Sequence, residues 1–187
     1  WKINGDIIKG KVYPNVGHKS WEETTNAILS SGKEIDKKIL SAIETAPQPG
    51  NKIVMAGAYS EEIGGEVVIK YNDKKFDISR LEDELKAHLA YLNLIKKDYD
   101  AGGKLYQKLY SNVTDIKIQN AGEVGTHAEV LAANEIIIKL KAADKFKSAA
   151  DLYKISILVK GNASFGNMCR CPHCFQILYG VRMIGNL

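Results

Sequence analysis

The sequence predicts a layered α/β domain, and three observations carry that expectation. First, Glu66-Val67-Val68-Ile69-Lys70-Tyr71 and Tyr153-Lys154-Ile155-Ser156-Ile157-Leu158-Val159 are rich in β-branched residues, as strands are. Second, residues 130–140 are apolar almost all round (Val130, Leu131, Ala132, Ala133, Ile136, Ile137, Ile138, Leu140), so the helix they form is a buried one, packed on a sheet. Third, from about residue 113 the order runs strand, helix, strand, short helix, strand. Right-handed crossovers turn that order into parallel strand pairs covered by helices.

Length and composition agree. The chain has 187 residues, enough for one compact domain, or a domain with an N-terminal elaboration. Its hydrophobic fraction is 45% and its charged fraction 26%, the profile of a soluble folded protein. No apolar run approaches the ~20 residues needed to span a bilayer, so no membrane partner is expected. No secretory signal peptide is recognisable. The chain begins at Trp1 rather than Met, which points to a piece of something longer. The net charge of +4 leans weakly toward a polyanionic partner.

Taken in order, residues 1–19 read as irregular or β-like. Ser20 and Glu23 have capping-box spacing and open a helix that Ser30-Ser31-Gly32 interrupts. A second helix carries Ile35, Ile39 and Ile43 on one face, and Pro47-Gln48-Pro49-Gly50 ends it. Residues 52–58 read as a strand or buried turn. The strand 66–71 lies between Gly64-Gly65 and Asn72-Asp73. Leu81, Leu85, Leu89, Leu92 and Tyr99 recur at helical spacing until Ala101-Gly102-Gly103. Tyr106 and Tyr110 sit on a further helical turn, and residues 113–119 alternate as a strand does. The buried helix opens at Thr126. After the strand at 153–159, a Gly/Asn/Ser-rich loop leads to a short helix through Phe175–Tyr179 and a last strand at 181–184.

Two stretches carry chemistry. Thr126-His127-Ala128-Glu129 begins the buried helix, and Cys171-Pro172-His173-Cys174 begins the short one. The three cysteines, Cys169, Cys171 and Cys174, fall within six residues, which favours a metal or redox site over a disulfide framework. His127, Cys171 and Cys174 are the nitrogen and sulfur ligands that zinc prefers, with a fourth position left for water. Pro172 suits a first helical position, so Cys171 falls near a helix N-terminus, where thiolate is favoured. Glu129 would then sit beside the metal-activated water without being a ligand. Plainer readings stand beside these: Thr126 to Glu129 is also a capping box, the thiol pair has thioredoxin-like spacing, and Cys169 or His173 could complete a purely structural zinc site.

Taken together, His127-Ala128-Glu129 and Cys171-Pro172-His173-Cys174 resemble the zinc-dependent cytidine/nucleobase deaminase superfamily, whose signature joins H-x-E on one helix to P-C-x-x-C on the next. The strings Gly-Thr-His-Ala-Glu-Val-Leu-Ala-Ala-Asn (125–134) and Arg-Cys-Pro-His-Cys (170–174) look most like the YwqJ-like deaminases, the toxin domains of bacterial polymorphic toxin systems. The resemblance covers about residues 113–187. It departs at Arg170, where the signature has proline, and at the additional Cys169.

The resemblance implies a three-layered cytidine-deaminase-like fold, a mixed sheet with helices on both faces. It makes residues 113–187 the zinc-binding core and 1–112 an N-terminal helical elaboration, with room in it for the first core helix and strand. It implies hydrolytic deamination of cytosine in nucleic acid, with adenine or a free nucleotide as the alternative substrate and a structural-zinc interaction module as the alternative role. In that scheme Zn2+ is held by His127, Cys171 and Cys174, and Glu129 moves the protons. Asn120, Thr126, Asn134, Asn162 and His173 are candidate substrate contacts, and Tyr106, Tyr110, Tyr153 and Phe165 candidate stacking platforms. By the same resemblance the chain is part of a larger secreted toxin. It acts in the cytoplasm of a target cell and is neutralised by a cognate immunity protein.

Overall fold

The computed structural model describes residues 20–48, 54–102, 125–161 and 172–185. Two helices come first, α1 (Trp21–Ser31) and α2 (Glu34–Thr45). The Ser20 hydroxyl accepts from the Glu23 amide while the Glu23 carboxylate accepts from the Ser20 amide, so the expected capping box is formed. Gly32, at φ 70°, takes the left-handed turn that ends α1 at little steric cost.

The hairpin β1 (Met55–Tyr59) and β2 (Val68–Tyr71) follows, then α3 (Asp83–Asp100), α4 (Ala128–Ala142), β3 (Ser156–Lys160), α5 (Pro172–Ile177) and β4 (Arg182–Met183). The strands form one sheet in the order β2-β1-β3-β4. β1 is antiparallel to both neighbours, while β3 and β4 are parallel. The sheet is therefore mixed, and the α/β class read from the sequence holds. Strands from both sides of residue 113 share it.

The expected strand at 113–119 lies outside the described residues. The strand expected to open at Tyr153 opens instead at Ser156. Its first residues belong to a 3₁₀ turn, Ala149–Lys154, which a second capping box between Ser148 and Asp151 holds closed. A β-branched run cannot extend upstream into a segment whose amides are already committed to that turn.

Strand alternation divides the sheet's faces. Ala56, Ala58, Ile157 and Val159 meet α3, α4 and α5, and Met55, Tyr59 and Leu158 meet α1 and α2. The result is three layers, helices on sheet on helices. On α4, Val130, Leu131, Ile136, Ile137 and Leu140 are all at most 6% exposed, and each such burial stabilises by about 1.5–3 kcal/mol. Ile138 departs from the all-round apolar reading and faces solvent. Gly57 lets α2 approach β1 closely. A Cβ there would lie 3.0 Å from Ile39 Cγ2 and 3.0 Å from Ile43 Cγ1.

Register defines the ends of the sheet. Met55 pairs with both Tyr71 and Lys160, and Tyr59 pairs with Ser156. The chain leaves β2 and β3 at the Met55 end, and Asn72, just past β2, meets the first amide of α4 there.

Candidate metal centre

α4 begins at Ala128 with His127 as its N-cap, and the His127 side chain makes no capping bond. The cap comes from elsewhere in the chain. Asn72, just past β2, accepts the Ala128 N–H through Oδ1 at 2.7 Å, and the Asp73 N–H donates to the Thr126 carbonyl at 3.1 Å. Gly125, at φ 97°, turns the chain into the helix against Ile78. The expected opening at Thr126 is thus corrected by two residues, because a side chain from another strand end caps the helix in place of a local capping box. Glu129 becomes the second helical residue, in the first turn, where the helix dipole favours a carboxylate.

That frame brings two distant helix starts together. His127 Nδ1 lies 3.0 Å from Cys174 Sγ. One ligand atom from each of His127, Glu129 and Cys174 falls within 4.8 Å of the others, a group able to hold a metal ion. Cys174 is 1% exposed and Glu129 5%, so both work in a largely desolvated setting. In a tetrahedral zinc site the nitrogen and sulfur ligand atoms sit about 3.6 Å apart. The 3.0 Å contact therefore needs to open by only about half an ångström, and the donor set fits zinc.

The sequence-predicted residues divide as follows. His127, Glu129 and Cys174 converge, while Cys171, Cys169, Asn120, Asn162, Tyr106, Tyr110 and Phe165 lie outside the described residues. Thr126 is buried beside the cluster, and its carbonyl holds Asp73. His173 is buried as well, at 2% exposure. Asn134 bridges α4 to the segment before α3: its Oδ1 accepts from the Glu82 amide at 2.7 Å and its Nδ2 donates to the Arg80 carbonyl at 3.4 Å. Tyr153 stands at the opposite end of β3, where with Ile35, Tyr59, Glu61, Ser156 and Arg182 it lines a cavity of about 260 Å³.

Two residues belong to no functional motif in the sequence. Asn72 has only the look of a turn residue closing a strand. His88 is 2% exposed and bonds through Nδ1 to the Ile177 carbonyl of α5 at 2.8 Å. Burial pushes the His88 imidazole pKa down, against the opposing pull of the Ile177 carbonyl and the Glu84 carboxylate. A signal for it existed, since Leu81, Leu85, His88 and Leu92 fall on one helical stripe and His88 is the polar member.

No protein family, curated protein or solved structure compared with this chain matches it. Among the described residues no helix is long and apolar enough to cross a membrane.

Proposed function

We propose that the protein is a zinc-dependent hydrolytic deaminase acting on cytosine in nucleic acid. The observation that carries this reading is the convergence of His127 Nδ1, the Glu129 carboxylate and Cys174 Sγ from two helix starts at one end of the sheet. The three layers and the mixed sheet agree with the fold that the deaminase resemblance implies. His127 and Cys174, joined by Cys171, are the ligands proposed for zinc. When bound, zinc supplies Lewis-acid activation of water at neutral pH.

Glu129 is the proposed proton carrier. Water replaces the exocyclic amine of the base, yielding uracil and ammonia. The Glu129 carboxylate takes both protons of that water in turn, passing the first to the ring nitrogen beside the attacked carbon and the second to the departing amine. Its burial keeps competing solvent protons away, and its place in the first turn of α4 fixes it within reach of both His127 and Cys174. The role as the toxin domain of a larger secreted protein, with an immunity partner, rests on the sequence resemblance to the YwqJ-like deaminases.

The test pairs metal content with ammonia release. Purified protein is expected to hold one zinc and to release ammonia from cytosine-containing single-stranded DNA or RNA. Glu129→Ala should keep the zinc and lose the ammonia. Release from adenosine or free cytidine alone would move the substrate assignment. A zinc-loaded protein inactive on all of these substrates would instead be a structural-zinc module, and absence of zinc would overturn the site itself.

A further inference from the structure

Cys174 sits on a helix that cannot hold its own position. α5 has only six residues, far below the length at which a helix is stable alone in water. Its last carbonyls find partners beyond the helix: those of Cys174 and Gln176 accept from the amides of Leu178 and Tyr179, and that of Ile177 accepts from His88, reaching across from α3, at 2.8 Å. Ile177 is three residues beyond Cys174, so both lie on one side of α5, and both are in the core cluster that contains Leu85, Leu89 and Leu92 of α3. A carbonyl only accepts, so His88 carries its proton on Nδ1. Along the α3 stripe a leucine would fill the same space, whereas a histidine adds one directed bond.

We infer that His88 is a positioning residue for the metal centre, anchoring the C-terminal turn of α5 so that Cys174 Sγ faces His127 Nδ1. The inference builds on the zinc site proposed above and extends it into a helix that shares neither of its sequence motifs. Groups that orient a ligand from behind commonly change metal affinity 10–100-fold when removed. His88 acts one step further out, through the backbone of the ligand's own helix.

Two variants and two readouts test this. His88→Leu fills the space without a donor. His88→Asn places an amide N–H near the position of Nδ1. Zinc affinity is measured by competition with a chromophoric chelator, and the alkylation rate of Cys174 in metal-free protein is followed by peptide mass spectrometry, both well below the unfolding temperature. His88→Leu is expected to weaken zinc binding about tenfold or more and to speed Cys174 alkylation, with His88→Asn recovering most of both. Wild-type zinc affinity in His88→Leu would overturn the inference, as would equal losses in the two variants. If wild-type protein takes up no zinc, the metal site fails. The alkylation rates then decide His88 separately: equal rates in wild type and His88→Leu overturn it, and a faster rate rescued by asparagine supports it.

Discussion

Asn72 gives the sharpest handle on how the candidate metal centre is built, because one atom of it meets one backbone amide. Replacing it with alanine removes the Oδ1 acceptor 2.7 Å from the Ala128 N–H. Losing an N-cap side chain costs about 0.5–2 kcal/mol. Asn72 itself is exposed, so water can partly replace it and the value should fall near 1 kcal/mol. For a chain of this size that lowers Tm by about 2–4 °C. Urea unfolding of metal-free protein, followed by circular dichroism, should show a lower midpoint with an unchanged slope. Asn72→Asp keeps the acceptor and adds a charge favoured at a helix N-terminus by about 0.3–1 kcal/mol, partly offset by neighbouring Asp73. It should stay within about half a kcal/mol of wild type. If aspartate costs as much as alanine, or alanine costs nothing, the cap is not what holds the start of α4.

Other expectations follow from the same geometry. Gly57→Ala drives a Cβ to 3.0 Å from both Ile39 and Ile43, which are fully buried. Overpacking of this kind should destabilise by about 1–3 kcal/mol in denaturant titration. The depressed His88 pKa predicts acid sensitivity. The unfolded imidazole takes up a proton near pH 6.5 while the buried one resists it, so its contribution is present above that pH and is lost as pH falls toward the lower folded value. The slope cannot exceed about 1.4 kcal/mol per pH unit, and subtracting the profile of His88→Asn from that of wild type should isolate it. A difference profile that is flat between pH 7.5 and 5 would contradict the burial argument.

What the sequence conveyed, and what it did not, divides by range. Local signals came through. Ser20 and Glu23 form the box their spacing announced, and α4 is buried because eight of the eleven residues from Val130 to Leu140 are apolar. His127 and Glu129 stand at a helix start where the ligand atoms of an H-x-E pair can converge with Cys174, which a helix interior would not allow. Long-range facts were hidden. The cap on α4 comes from Asn72, and a polar residue after a strand looks like any turn residue until its partner is known. The central place of β1 depends on pairing with β3 across most of the chain. The sequence extends the strand to Tyr153 because β-branched runs carry no mark of where a neighbouring capping box claims their amides.

That pairing of β1 with β3 bears on how the protein comes into being. Met55 lies opposite Lys160, so the middle rung of the sheet joins residues more than half the chain apart. Contacts of such sequence separation form late, since the entropy of closing a long loop is lost before any ladder bond is gained. α4 rests on β1 and β2 as well as β3. A fragment starting at residue 113 would contain His127, Glu129 and Cys174 and yet lack the floor that aligns them. The His127–Glu129–Cys174 cluster is therefore expected to take shape last, after both halves of the chain have met.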